Sequence, residues 1–264
     1  MIFGLTAIAL WGCYILLARL PANGAKRLPN SPRLQKPKSN LEAEQTESLR
    51  QQMVQYQLQD RGIKDKRVLA AMSKIPRHQF VDLSRRDLAY SDRPLPIGHS
   101  QTISQPYIVA YMSEAAKIAV GDRVLEIGTG CGYQTAVLGE LAQEVYTVEV
   151  IPQLAHRARD ILDKLEYQNV HIKTGDGYQG WVEHAPYQAI VVTAAPKKVP
   201  QALIDQLAEG GKLVIPVGTL YQQLLVLTKT IEGIVTQPTI SVRFVPMKKS
   251  ISVHTDLPPN NTDR

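Results

Sequence analysis

Three glycines spaced by two, Gly128, Gly130 and Gly132, stand in VLEIGTGCGYQTA (124–136), between a β-branched apolar run and a helical one. Glycines at such a junction let the chain turn sharply and let a ligand approach the main chain closely. A dinucleotide fingerprint wants Gly or Ala at position 133, for helix packing around a pyrophosphate. This chain has Tyr133 instead. Glu126, two residues before the first glycine, is an awkward neighbour for a phosphate and a good one for a cation. A ligand with an amino group and a positive centre, such as S-adenosylmethionine, therefore suits this loop, Thr129 included, better than a nicotinamide dinucleotide. Alone, the loop is also what a tight strand–helix connection requires.

Two further acids sharpen the reading. Glu149 closes the next strand-like run, 21 residues beyond Gly128, where a carboxylate can accept from both ribose hydroxyls. Asp176, followed by Gly177 in GDGYQGW, comes after the third run, where it can accept from an adenine amino group. Each has a plainer reading, Glu149 as a helix-start acid before Pro152 and Asp176 as a turn residue between glycines. Acids recurring after three successive strands favour an adenosyl ligand.

The elements that must position these groups are legible from periodicity. RVLEI (123–127), VYTVEV (145–150), VHIK (170–173) and AIVVTA (189–194) are short β-branched runs that suggest buried parallel strands. Between them lie the helical TAVLGELA, PQLAHRARDILDKL and VPQALIDQLAEGG, the last ending at Gly210 and Gly211. Upstream, LEAEQTESLRQQMVQYQLQDRG and DKRVLAAMSKIP carry apolar residues at helical spacing, with Gly62 and Pro76 as stops. Downstream, KLVIPVG, QQLLVLTK and ISVRFVPM are strand-like with no long helix between the last two. The expected fold is α/β, a doubly wound, mostly parallel sheet with helices on both faces and an antiparallel strand near the C-terminus.

The pI near 9.2 suggests a nucleic-acid partner, but the charge is not in the presumptive domain. Residues 1–40 hold Arg19, Lys26, Arg27, Arg33, Lys36 and Lys38 and no acid, which accounts for the whole formal charge of +6. From residue 41 onward there are 24 basic and 24 acidic side chains, so no footprint for phosphate backbones is expected, and no nucleic-acid partner. Cys13 and Cys131 are the only cysteines, and no Cys/His spacing resembles a zinc site, so no disulfide and no metal are expected.

Residues 1–20, MIFGLTAIALWGCYILLARL, have no charged side chain between Ile2 and Ala18, and their basic residues follow the apolar run. That order suits a membrane anchor whose C-terminal side stays in the cytoplasm. A cleaved signal with Ala22 and Gly24 near the cut, hence export, and a start of translation placed too far upstream are the alternatives. Residues 21–40 read as a basic flexible linker, 41–250 as a single domain with a sizeable core, and 251–264 as a disordered tail.

One stretch is left. QTISQPYIVAYM (101–112) begins with small uncharged hydrogen-bonding residues and turns at Pro106 into a half-buried helix. Together with IPRHQFVD, LPIGHSQTISQPY, VLEIGTGCGYQTA, GDGYQGW, VVTAAP, GGKLVIPVG and VRFVPM, in that order, it makes the chain resemble the protein-L-isoaspartate O-methyltransferases, class I adenosylmethionine-dependent enzymes, over about residues 49–247. LPIGHSQTISQP is the most specific of these signatures. Gln188 stands where such proteins commonly have Asp, and Lys197–Lys198 where an acid is often found; neither lies in a cofactor signature.

The resemblance implies that S-adenosyl-L-methionine is held by Glu126, Gly128, Thr129, Gly130, Gly132, Glu149, Asp176 and Gly177. It implies Ser104 as the active-site serine, with Thr102, Ile103 and Gln105 lining the substrate cleft. The implied acceptor is the free carboxylate of an L-isoaspartyl or D-aspartyl residue in a damaged protein or peptide, and the product ester collapses to a succinimide that can reopen as normal Asp. That carboxylate is ionised near neutral pH, so no general base is needed; His99 reads as a loop residue and Ser104 as an orienting hydroxyl that could also cap the following helix. The enzyme is expected to be a cytoplasmic monomer, with residues 1–20 as its possible tether. The rivals are a methyltransferase of the same fold acting on a small molecule or RNA, and a membrane-tethered binding module without turnover.

Overall fold

The computed structural model describes residues 38–249. The leader, most of the basic stretch and the C-terminal tail, all singled out in the sequence, lie outside the described residues.

Helix α1 (Lys38–Gln52) runs into a π-helical segment (Met53–Gln59) that buries Met53, Val54 and Leu58. Gly62, at φ +96°, ends it in the left-handed region that glycine adopts without a Cβ penalty. Helix α2 (Lys66–Lys74) starts where Asp65 accepts from the backbone N–H groups of Arg67 and Val68, so two orphan donors of the first turn are satisfied. It buries Val68, Ala71 and Met72 on one stripe and stops at Ile75, held extended by Pro76. After single turns of tight helix at Arg77–Phe80 and Leu83–Leu88 comes a small antiparallel hairpin, β1 (Leu95–Gly98) and β2 (Gln101–Ile103). Its two-residue loop, His99–Ser100, has both φ values positive, the geometry that matches the twist of a tight hairpin. Pro106 then opens α3 (Pro106–Ala115) at the position where a missing N–H costs nothing.

The rest is the alternating part. It comprises β3 (Arg123–Ile127), α4 (Tyr133–Leu141), β4 (Glu144–Glu149), α5 (Pro152–Lys164), β5 (Val170–Thr174), β6 (Tyr187–Val192), the short α6 (Gln201–Asp205), β7 (Leu207–Gly218), β8 (Gln222–Thr230) and β9 (Gly233–Val242). The seven strands lie in the order β5-β4-β3-β6-β7-β8-β9. Neighbours from β5 to β7 are parallel, β8 is antiparallel to β7, and β9 is antiparallel to β8. This is the doubly wound sheet expected, closed by a C-terminal antiparallel hairpin. The order reverses between β3 and β6, and a crevice opens at the carboxyl ends of strands at such a switch point.

Alternation along the central strands divides the core in two. Val124, Ala189 and Val191 face one apolar cluster, whereas Leu125, Ile127, Ile190 and Val192 face the other. Each such side chain contributes about 1.5–3 kcal/mol of burial, so a register slip in β3 or β6 would expose a row of them.

Two sequence expectations are corrected. The helix anticipated through Gly211 stops at Asp205, and Leu207 already pairs with Tyr187 in the sheet. Leu207 and Tyr187 are both fully buried, and Gly210 at φ +76° absorbs the irregularity that brings Lys212 opposite Ala189. The last strand also begins earlier than ISVRFVPM suggested, at Gly233, and residues 243–247 leave the sheet to bond elsewhere.

Candidate active site

A cleft opens at this crevice. Its floor is the 128–131 loop after β3, one wall is Val148–Ile151 at the end of β4, and the others come from 101–104, from Thr193–Ala194 after β6, and from Val245–Lys248. Five segments far apart in the chain thus meet at one end of the sheet.

The loop is held by side chains that the glycines admit. Gly128 has φ +99°, and a Cβ there would lie 2.4 Å from Oγ1 of Thr193. That hydroxyl instead sits 2.6 Å from the Gly128 carbonyl and 3.0 Å from that of Ile127, so it ties the end of β6 to the loop. Gly132, at φ +90°, is the N-cap of α4, and a Cβ on it would crowd Ala158 and Leu162 of α5. Gly130 offers its N–H to the site: it donates to Oε2 of Glu149 at 2.8 Å.

Glu149 is 5% exposed and lines the cleft. Its second oxygen accepts from the N–H of Ile151 at 3.0 Å, so each carboxylate oxygen holds one backbone donor and keeps acceptor capacity for another. Gly128, Thr129, Gly130 and Gly177 also line the cleft, and Gly132 sits just behind it.

Two of the expected cofactor acids are not in the lining. Glu126 is fully buried within the sheet, where Oε2 accepts from the hydroxyls of Thr135 and Thr147 and Oε1 has no hydrogen-bond partner among the described residues. Burial pushes its carboxyl up to about 8, against the pull of the two hydroxyls and with a further push from the Glu149 charge. It therefore sits neutral beneath the loop at pH 7 and is not a counter-charge beside a ligand. It reaches the cleft through hydroxyls, since Thr147 also bonds Thr129 at 2.7 Å. Asp176 caps the turn Gly177–Gln179 by accepting from the N–H of Tyr178, and only the adjacent Gly177 faces the cleft.

On the acceptor side, Thr102, Ile103 and Ser104 line the cleft and Gln105 does not. Gln105 is the N-cap of α3 and makes no side-chain capping bond. The hydroxyl of Ser104 has no hydrogen bond to any described residue, which leaves it free to meet a ligand, and it does not cap the helix. The backbone of Ser104 is held by Arg77, whose Nη2 donates to its carbonyl at 2.7 Å while Nε donates to Ala89 at 2.7 Å. Arg77 is fully buried and lies over the ring of cleft-lining Tyr133 at 4.7 Å. Neither Arg77 nor Tyr133 was singled out as a site residue from the sequence, although Arg77 stands in IPRHQFVD and Tyr133 in VLEIGTGCGYQTA, two of the stretches that carry the resemblance. Thr193, Ala194 and Val245–Met247 were missed as well, though they lie within VVTAAP and VRFVPM.

Chemically, the cleft offers hydroxyls, backbone donors and one buried carboxylate. Cys131 lines it, but burial pushes its thiol up to about 11, so it stays protonated and is no nucleophile at neutral pH. His99 lies in the exposed hairpin turn and is not in the lining. Among the described residues no group of three His, Cys, Asp or Glu side chains is arranged to hold a metal ion.

The family model described as protein-L-isoaspartate(D-aspartate) O-methyltransferase matches residues 48–252. A protein-L-isoaspartate O-methyltransferase of Picosynechococcus sp. is 59% identical over 212 residues, covering 80% of this chain and 96% of its own. One from Gloeobacter violaceus is 61% identical over 199 residues, covering 75% and 97%. Among solved structures, a protein-L-isoaspartate O-methyltransferase superposes with a TM-score of 0.70 at 28% identity, over 76% of this chain and 66% of the other. A Plasmodium falciparum chain assigned to the same activity, in complex with S-adenosyl-L-homocysteine, superposes with a TM-score of 0.67 at 27% identity, over 76% and 98%.

Proposed function

This chain belongs to the protein-L-isoaspartate(D-aspartate) O-methyltransferase family, an enzyme family that uses S-adenosyl-L-methionine to methylate isoaspartyl carboxylates in damaged proteins, and from that premise we propose how its cleft divides the work. The donor half is the glycine loop with Glu149, and the acceptor half is 102–104. The observation that carries this division is a single cleft with a buried, backbone-held carboxylate in its lining and an unbonded serine hydroxyl in another wall.

The residues fit the donor. Glu149 retains acceptor capacity on both oxygens for a pair of ribose hydroxyls, and the missing Cβ at Gly128 keeps the loop against Thr193 and out of the cleft. We assign Glu149, Gly128, Thr129, Gly130 and Gly177 to donor binding, with Gly132 packing the loop on α5. Glu126 acts from beneath through Thr147 and Thr129, and Asp176 shapes the turn that presents Gly177. When bound, adenosylmethionine supplies the methyl group, which bonds to the acceptor oxygen as the carbon–sulfur bond breaks and sulfur keeps the electron pair.

The chain's own part is orientation. The acceptor is ionised at neutral pH, so no proton need be removed. Ser104 donates a hydrogen bond to the acceptor carboxylate, Ile103 keeps water from it, and Thr102 contacts the backbone beside it. Arg77 fixes the main chain from which the Ser104 hydroxyl projects. Opposite charges on the partners vanish as ester and thioether form, so the apolar surroundings of Ile103, Val109 and Ile127 favour reaction over separation.

Paired peptides that differ only in Asp versus isoAsp test this reading with labelled adenosylmethionine. The isoAsp peptide is methylated and its twin is not, because the extra backbone methylene shifts the carboxylate relative to the peptide groups held by the cleft. Equal labelling of both, or labelling of RNA and neither peptide, overturns it.

We also assign the chain to the cytoplasm as a monomer, with residues 1–20 as a membrane tether. Among the described residues no helix is long and apolar enough to cross a membrane, and what supports the tether is the uncharged run from Ile2 to Ala18. The edge strand β9 carries Pro238, which supports a monomer by blocking strand addition. Protease added outside intact cells leaves the domain untouched if this is right; a mature N-terminus near residue 25 in an exported fraction refutes it.

A further inference from the structure

The mouth of the cleft carries charge that methyl transfer does not use. Ala195, just past β6, forms a parallel bridge with Pro246; its N–H donates to the Val245 carbonyl, and the N–H of Met247 donates to its own carbonyl, both at 2.9 Å. The two segments leave this bridge in the same direction. Each reaches a lysine pair at its second and third residues, Lys197–Lys198 on one and Lys248–Lys249 on the other. Thr193–Ala194 and Val245–Lys248 line the cleft, so Lys248 stands at its mouth with Lys249 beside it, while Lys197–Lys198 follow cleft-lining Ala194 by three and four residues; all four lysines are exposed.

These charges are not balanced locally. Among the described residues none of the four takes part in an ion pair, and the Lys249 ammonium rests 5.6 Å from the ring centroid of Tyr178, next to cleft-lining Gly177. The acids Glu149 and Asp176 bond backbone N–H groups and none of the four ammonium groups. Because the chain from residue 41 is neutral in total, four unpaired lysines at one rim are a matter of placement and not of composition. Such a rim holds a positive potential over the cleft.

We propose that this rim selects substrates whose isoaspartyl residue is flanked by acidic side chains. The proposal rests on the reading that the acceptor is an isoaspartyl carboxylate. To deliver that carboxylate, the substrate backbone must cross the mouth. An extended chain advances roughly 3.3–3.6 Å per residue, so acids one to three positions away lie about 3–11 Å along the backbone from the damaged residue, the scale of the Debye length of about 8 Å at physiological salt. Lysine is a compact charge on a flexible stem, so the rim reads charge near the damaged residue and not a fixed motif. Damage arises in many sequence contexts, and a charge preference ranks them without excluding any.

Three isoaspartyl peptides of equal length, with Glu, Gln or Lys on both sides of the damaged residue, test this with the full chain and with the K197Q/K198Q variant. The expected kcat/KM order is Glu above Gln above Lys, with roughly twofold to fivefold per flanking charge as for exposed pairs. The spread should shrink at about 0.5 M salt, where charges are screened. In the variant the spread should fall by at least half, while the Gln-flanked peptide keeps its rate. All three peptides methylated at equal rates, or a spread unchanged in the variant or at high salt, overturns the proposal and leaves the methyl-transfer reading standing. Methylation of none of the three overturns that reading itself.

Discussion

Glu126→Gln should reverse its effect on stability between acid and alkaline pH. In the folded protein the Glu126 carboxyl is held near 8, chiefly by burial, against 4.5 in the unfolded chain. Between those values the folded state keeps a proton that the unfolded state releases, so raising the pH favours unfolding. The penalty is absent below about pH 4.5, grows by about 1.4 kcal/mol per pH unit, and reaches about 5 kcal/mol near pH 8, above which it stays constant. Glutamine has no such penalty, and its amide oxygen can still accept from Thr135 and Thr147. Its NH2, however, enters a site where Oε1 of the glutamate finds no partner, which costs about 1–3 kcal/mol at every pH. The variant should therefore be less stable than wild type by up to about 2 kcal/mol at pH 5 and more stable by about 2–4 kcal/mol at pH 8. Urea unfolding at pH 5, 6, 7 and 8 measures both proteins, and taking the difference cancels titrations they share. A difference that stays constant across this range refutes the argument, because it would mean that Glu126 ionises alike in both states.

Glu149→Ala should weaken adenosylmethionine by about 1.5–3 kcal/mol, the scale of hydrogen bonds to a charged group, and wild-type affinity by calorimetry in a folded variant would remove Glu149 from the donor site. Ser104→Ala should lower kcat while donor affinity and Tm hold, since its hydroxyl makes no internal bond; activity and Tm falling together would show a structural role instead. Arg77→Lys should cost about 2 kcal/mol in denaturant, because one ammonium cannot serve both the Ala89 and Ser104 carbonyls in that geometry. It should also reduce kcat more than donor affinity, and equal losses in both would argue against a role in positioning Ser104.

Much of this protein was legible in its residues alone. The parallel strands announced themselves because each is a short β-branched run that must be buried on both faces, and the loop after β3 because only glycine suits its positive φ values. Ser104 was marked only through the resemblance carried by LPIGHSQTISQPY, whereas Glu149 stood out because a carboxylate at a strand end is a local pattern. What the tertiary structure decided is what depends on which distant segments meet. Glu126 looked like a ligand from its distance to Gly128, but its side chain is sealed inside the sheet, between hydroxyls supplied by α4 and β4. Arg77 became part of the site because packing brings its guanidinium to a carbonyl 27 residues away. Residues 206–211 have helical periodicity, yet pairing with β6 claimed them, since a sheet edge offered both hydrogen bonds and burial for Leu207. The wall at 245–248 and its lysines joined the cleft through backbone bonds to Ala195, a partner about 50 positions earlier that no local pattern encodes. Periodicity within a segment reflects the free energy of that segment's own burial, whereas the site is set by contacts formed only when the whole sheet closes.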